Sequence, residues 1–325
     1  MSNLSDLSLL SVFQGVGVVD RPNMGIIKVT GGDRLRFLHN QSTNNINILK
    51  VGEGCMTVFV NSTGRTLDLV TVYVLEEELL LLVSPERRQF LMEWLDRFIF
   101  PFDQVSLTDV SEDYSLISLL GLKSANLLDN LGLNALGDRP ENSHVTVDFE
   151  SSKLLIAVGN DLKFSGYNLI LPRDKSAILW EKINQFQVEA IAPETWEKSR
   201  ILQGRPAVNK ELTEDYNPLE AGLWDYISFN KGCYIGQETI ARLNTYQGVK
   251  QRLWGINLTG EVTEGETITL NGAKVGILTS FTSTDQGYFA LGYIRTKAGG
   301  EGLEVEIGNV VGKVVSVPFL KHEYL

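Results

Sequence analysis

The chemistry legible in this sequence gathers around one cysteine. The segment Ile227-Ser-Phe-Asn-Lys-Gly-Cys-Tyr-Ile-Gly-Gln-Glu238 runs on into Thr-Ile-Ala-Arg242. Gly232 and Gly236 flank Cys233 and open the backbone to conformations that a β-carbon disfavours, while Gln237 to Leu243 has the composition of a helix start. Cys233 would then stand just ahead of a helix N-terminus with Lys231 close by. Both features favour thiolate over thiol, the setting of a reactive cysteine. The same residues also describe a glycine-rich approach to a helix, with the cysteine buried as a small hydrophobe. The local sequence leaves both readings open. Glu238 and Arg242 stand one helical turn apart and can pair on the helix surface.

Other candidates carry less. Cys55 precedes the β-rich Met-Thr-Val-Phe-Val without a basic residue nearby, which points to a structural thiol. Asp68, in Gly-Arg-Thr-Leu-Asp-Leu just past a hairpin turn, is the carboxylate marked for acid–base work, although a solvated strand-end aspartate is the plainer reading. The three histidines, His39, His144 and His322, are scattered, and neither HExxH nor CxxC occurs, so no stable metal site is expected. No glycine-rich stretch matches the P-loop or the dinucleotide fingerprint.

The chain's 29 basic and 40 acidic side chains give a net charge of −11, which excludes a general phosphate-backbone binder and leaves room for a local basic pocket. No direct nucleic-acid contact is expected. With 43% hydrophobic and 21% charged residues over 325 positions, the composition is that of a globular protein of about two domains. Two distant cysteines favour a reducing compartment. No basic residue precedes Arg21 and no apolar run is long enough to cross a bilayer, so the expected location is cytoplasmic, without a membrane.

These residues need a scaffold. The segment Asp20 to Thr30 ends in a β-rich run, turned by Gly31, Gly32 and Asp33 into a helix. Met56 to Val60 and Leu67 to Val74 form a hairpin around Asn61-Ser-Thr-Gly64, and Leu79 to Val83 adds a strand. Helical spacing of Phe90, Leu91, Trp94, Leu95 and Phe98 follows Pro85. Strands are expected at Tyr114 to Leu120 and Lys153 to Val158, and a helix over Asp174 to Phe186. From Gln251 onward, short apolar runs broken by Gly or Asn predict a small antiparallel barrel. The mixture lacks strict βαβ alternation, so the class is α+β.

Lys-Gly-Cys-Tyr-Ile-Gly-Gln-Glu resembles the signature of the YgfZ-type folate-binding proteins, relatives of the glycine-cleavage T-protein that serve iron–sulfur protein maturation. The likeness extends to the opening DRPNMGIIKVTGGDRLRFLHNQSTNNI and to GILTSF, ALGYIR and VPF near the end. T-proteins proper are similar around ISFNKG but lack the Cys and the Gln-Glu. The resemblance implies three small domains around a folate channel. Residues 1–247 would form two interleaved α/β subdomains, the second roughly 51–110, and residues 248–325 a C-terminal antiparallel barrel. The segment Trp196-Glu-Lys-Ser-Arg-Ile-Leu-Gln-Gly-Arg-Pro206 is similar to the one in which a tryptophan lines the folate pocket and an arginine faces the ligand, roles that pass to Trp196 and Arg200.

The resemblance also has gaps. A tryptophan near the opening strand is replaced around Met24, the T-protein Asp-Asp pair is reduced to Asp68, and LKFSGYNLILP lacks the glutamate-bearing TGE element. The implied function is therefore a tetrahydrofolate-binding accessory factor for iron–sulfur cluster assembly or repair, indirectly supporting tRNA modification. Its partners would be a folate and iron–sulfur assembly proteins or iron–sulfur enzyme clients, and it would not be a turnover enzyme. The alternative is an aminomethyltransferase that moves a one-carbon unit from an aminomethyl-lipoyl carrier to tetrahydrofolate.

Overall fold

The structure, a computed structural model, describes residues 12–133, 136 and 138–324. Its first strand, β1 (Gly17–Asp20), belongs to one sheet, and the chain then leaves to build another. This second sheet holds β2 (Gly25–Thr30), β3 (Gly54–Val60), β4 (Thr66–Val74), β5 (Glu78–Val83) and β6 (Ser106–Asp109), in the order β3-β4-β5-β2-β6. Helices α1 (Arg34–Gln41) and α2 (Arg88–Asp96) are threaded between its strands. The chain then returns beside β1 as β7 (Tyr114–Leu120). After α3 (Ser124–Asn130) come β8 (His144–Phe149), β9 (Ser152–Val158), β10 (Gly166–Pro172), α4 (Ser176–Ile183) and β11 (Glu189–Ala190), which complete the first sheet as β11-β1-β7-β10-β9-β8.

The two α/β units are thus interleaved. The inserted sheet already begins at Gly25, ahead of the boundary near residue 51 that the resemblance implied, because β2 pairs with β5 and β6 rather than with β1. The expected helix over 174–186 is shorter, since Arg173–Lys175 forms a separate 3₁₀ turn before α4.

Alternation along the strands sorts the core. In β4, whose nine residues are all buried, Val70 and Val72 face Leu91, Trp94 and Leu95 of α2, while Tyr73 faces Leu116, Leu155 and Ile170 of the other sheet. A strand covered on both faces reads as a continuous apolar run, and an aspartate inside one is costly unless it is hydrogen-bonded.

Helix α5 (Pro193–Gln203) opens on Pro193 and stops at Gly204, whose φ of 77° no branched residue tolerates well. After a long irregular stretch, α6 (Gln237–Thr245) leads to the barrel. Its strands are β12 (Gln251–Leu258), β13 (Thr267–Leu270), β14 (Ala273–Thr284), β15 (Gly287–Arg295), β16 (Glu304–Ile307) and β17 (Val310–Val315). They close in the order β12-β15-β14-β13-β16-β17, with β17 returning onto β12. Leu253, Leu291 and Tyr293 of the barrel pack against Ile201 and Leu202 of α5, which seats the barrel on the segment carrying the site.

Candidate functional site

The turn between β1 and β2, the residues after β5 and one side of α5 enclose a cavity of about 380 Å³ lined by Arg21, Met24, Ser84, Trp196, Arg200 and Arg205, among others. Trp196 contributes an indole, and the Arg21 guanidinium lies 4.7 Å from the ring centroid, a cation–π arrangement. Arg21 is held there by Asp161, at 2.5 Å, which in turn accepts a 2.9 Å hydrogen bond from the Thr71 hydroxyl. Burial alone would raise the Asp161 carboxyl, yet the adjoining Arg21 guanidinium keeps it below the ordinary aspartate value. Met24 also lines the cavity, with Sδ 3.1 Å from Arg21 Nη2, so a thioether beside a guanidinium stands where the resemblance had a tryptophan.

Arg200 is placed in the wall but not as expected. Its five N–H donors serve both carboxylate oxygens of Glu197 (2.8 and 2.7 Å), Glu211 Oε2 (3.1 Å), the Arg205 carbonyl (2.7 Å) and Ser280 Oγ on β14 (2.8 Å). No donor is left to face a ligand, because a guanidinium has no others. Arg200 ties α5 to the barrel. Arg205, two residues beyond α5, is 9% exposed; its Nη1 donates to the Pro206 carbonyl at 3.2 Å, while its buried Nε has no acceptor.

Asp68 also departs from expectation. It is not a solvated strand-end residue but lies within β4 opposite Phe59, fully buried. Its carboxylate accepts from the Ser84 amide (2.9 Å), the Ser84 hydroxyl (2.7 Å) and its neighbour Leu69 N–H (2.8 Å). Burial pushes its pKa up, against those hydrogen bonds and the positive charge of Arg205. Ser84 lines the cavity, so Asp68 sits one residue behind its wall.

The cysteine loop is a separate constellation. Cys233 is exposed and is not part of the cavity lining. Lys231, expected to serve it, is turned elsewhere. Its buried ammonium donates to the main-chain carbonyls of His39, Ser42 (2.7 Å) and Asn44 (2.8 Å) and lies 4.9 Å from the Tyr234 ring centroid. Three donors meet three acceptors at the C-terminus of α1, where a cation is favoured. Burial nonetheless pulls Lys231 down to about 7, a fall opposed by the nearby Cys55 thiol. The basic neighbour that the sequence denied Cys55 is therefore Lys231, although burial dominates and pushes the Cys55 thiol up to about 12.

The glycines divide in the same way. Gly236 is left-handed, with φ 79°, and caps α6, whereas a β-carbon on Gly232 would meet nothing nearer than His39 Nε2 at 3.6 Å. Gln237 reaches back to the Gly232 carbonyl at 3.4 Å, and among the described residues no ion pair joins Glu238 to Arg242.

The structure thus brings Trp196 and Arg200 together, keeps Asp68 just behind them and sets Cys233 apart. Arg21, Asp161 and Arg205 were missed. Arg21 and Arg205 lay in the quoted opening and α5 segments, but sequence gives no sign of which arginine has spare donors. Among the described residues no cluster of three or more His, Cys, Asp or Glu could hold a metal ion, and no helix is long and apolar enough to cross a membrane.

Residues 6–231 match the GCVT N-terminal domain. Over 98% of its length the chain is 41% identical to a protein of Arabidopsis thaliana bearing the name "Putative transferase, chloroplastic", covering 74% of it. It is 26% identical to an aminomethyltransferase of a Synechocystis species, over 96% of this chain and 86% of that one. The crystal structure of the glycine cleavage system aminomethyltransferase T from Bartonella henselae superposes with a TM-score of 0.85 at 21% identity, covering 97% of this chain and 89% of that one, so the two share a fold. On the extent of the domain match and the Arabidopsis likeness, the chain belongs to the GCVT family.

Proposed function

We propose that the chain binds tetrahydrofolate or a derivative in the Trp196 cavity and acts, with Cys233 as its functional thiol, as an accessory factor in iron–sulfur cluster assembly or repair. The observation that carries the folate part is the cavity itself, with an indole edge, stacked Arg21 and a buried guanidinium with an unpartnered donor. A flat heterocycle bearing carboxylates suits that set, and the orphaned Arg205 Nε is the feature that tests the fit. The folate, when bound, supplies one-carbon carrier chemistry. The chain's own part is to orient it: Asp161 fixes Arg21, and Arg200 fixes the helix that presents Trp196.

The accessory role rests on the exposed Cys233 in a loop whose sequence resembles the YgfZ-type signature. An exposed thiol can ligate an iron of a cluster cargo, or attack the outer sulfur of a donor protein's persulfide, becoming the persulfide itself while the donor cysteine leaves as thiolate. The proposed clients are iron–sulfur assembly proteins or enzymes, and the support for tRNA modification runs through them, without direct nucleic-acid contact. The location proposed is cytoplasmic, although the Arabidopsis relative's name places that protein in the chloroplast.

Tryptophan fluorescence titration with tetrahydrofolate tests the ligand. Saturable quenching in the micromolar range, lost in Trp196→Ala, is expected, and an unchanged titration in that variant defeats the placement. For the second half, Cys233→Ser is expected not to restore iron–sulfur enzyme activity in a knockout, and full restoration would defeat it.

One observation favours the second reading, aminomethyl transfer. Asp68 is a buried carboxyl linked to the cavity wall through Ser84, a placement open to proton transfer. Formation of methylene-tetrahydrofolate from an aminomethyl-lipoyl carrier, abolished in Asp68→Asn, would decide for it.

A further inference from the structure

The cavity's three arginines have unequal obligations. Arg200 spends every donor on protein acceptors. Arg21 is paired with Asp161 and rests on Trp196. Glu211 and Glu197 are matched by Arg200 and Lys210. What remains is Arg205, which lines the cavity, is nine-tenths buried, makes no ion pair among the described residues and leaves Nε without an acceptor.

A guanidinium stays charged, and a buried donor without a partner costs free energy that nothing in the protein returns. Its remaining carboxylate neighbour, Asp68, points its oxygens at Ser84 and Leu69 instead. Arg205 lines the cavity and its Nε–H has no protein acceptor; a planar guanidinium fork of this kind binds a carboxylate through two parallel hydrogen bonds.

We infer that Arg205, and not Arg200, is the anion receptor of the cavity and takes a carboxylate of the bound ligand. This rests on the folate reading for the ligand's identity, since a folate carries its carboxylates at the glutamate end, away from the pterin. It goes beyond that reading in assigning the specificity to one side chain. Arg205 would select for the carboxylate end, while Trp196 offers a flat face and the Arg21 charge is already met by Asp161.

Three probes separate the parts: 5-formyltetrahydrofolate, p-aminobenzoylglutamate and 6-methyltetrahydropterin, each titrated calorimetrically against the full chain. Arg205→Gln is expected to weaken the first two at least tenfold and leave the pterin within twofold. Arg205→Lys, which keeps the charge but not the fork, is expected to fall between. Arg200→Gln serves as the comparison, with a lowered melting temperature and unchanged preference among the probes. Equal binding of p-aminobenzoylglutamate by wild type and Arg205→Gln overturns the inference, as does an equal loss of all three probes in a folded Arg205→Gln. If p-aminobenzoylglutamate binding depends on Arg205 while neither pterin-containing probe binds, the folate reading fails and the carboxylate receptor stands.

Discussion

Gly236, ahead of the helix that follows the cysteine loop, rests directly on the backbone of Gly64 at the turn that leads into the strand bearing Asp68. A β-carbon on Gly236 would lie 3.0 Å from Gly64 Cα and 2.6 Å from the Asn61 carbonyl oxygen, and one on Gly64 would lie 3.3 Å from the Gly236 carbonyl oxygen. Both glycines have φ above 70°. The loop of the exposed thiol is therefore mounted, by close backbone approach, on the hairpin whose second strand carries Asp68 behind the cavity wall.

That contact predicts a contrast between the two glycines of the signature. Gly236→Ala combines left-handed strain with a clash against backbone that cannot rotate away, and should cost about 2–3 kcal/mol. Gly232→Ala has room and should stay within about 0.5 kcal/mol of wild type. Urea unfolding of both variants checks this, and equal midpoints would show that the loop does not depend on the contact.

Lys231→Met removes the ammonium that three carbonyls share at the end of α1. Hydrogen bonds to a charged group contribute about 1.5–3 kcal/mol each, partly offset by relief from burying the charge, so a net loss of about 3 kcal/mol is expected. The denaturation midpoint should fall with an unchanged slope. A variant as stable as wild type would mean that the tripod holds nothing in place.

Much of the architecture could be read from the residues because it rests on local pattern. Short apolar runs with Gly and Asn turns marked the barrel, and helical spacing of Leu91, Trp94 and Leu95 marked α2. The interleaving itself depends on pairings between strands far apart in sequence, such as β1 with β7, and came only through the family resemblance. At the site, Trp196 was pointed to the same way, and the structure adds that it lines a cavity. The engagement of Arg200 within the protein has a source that sequence cannot supply: its acceptors on Glu211 and Ser280 come from distant segments, and only their arrival exhausts its donors. Asp68 was read as solvated because strand-end position says nothing about a second sheet covering the strand. Lys231 was read by its proximity to Cys233 in sequence, whereas its side chain runs towards the end of α1.

The two thiols should differ sharply in native protein. Cys233 is exposed, while burial pushes Cys55 up to about 12 from 9.0, leaving about a thousandfold less thiolate on that residue. Iodoacetamide at pH 8 should label Cys233 much faster than the half-buried Cys55, whose rate should rise when denaturant is added. Mass mapping of the adducts reads this directly, and native labelling of Cys55 at a comparable rate would contradict its placement.

Asp68 makes a prediction about pH. Its folded pKa is raised above 3.8, chiefly by burial, so the fold favours the protonated carboxyl. The group's contribution to stability is then fully present below the unfolded value and is lost as pH rises through the folded value. Asp68→Asn removes this titration while also weakening the bonds from Ser84, so its stability at one pH is not the informative quantity. The informative quantity is the difference from wild type as a function of pH. All other groups titrate in both proteins and largely cancel in that difference. The variant should therefore gain on wild type as pH is raised from about 4, and the difference should level off once Asp68 is ionised in both states of the wild type. Urea midpoints at half-unit intervals from pH 4 to pH 8 would measure it. If the variant instead loses ground as pH rises, Asp68 is ionised in the fold and held by the charge of Arg205, which would leave that arginine less available to a ligand carboxylate.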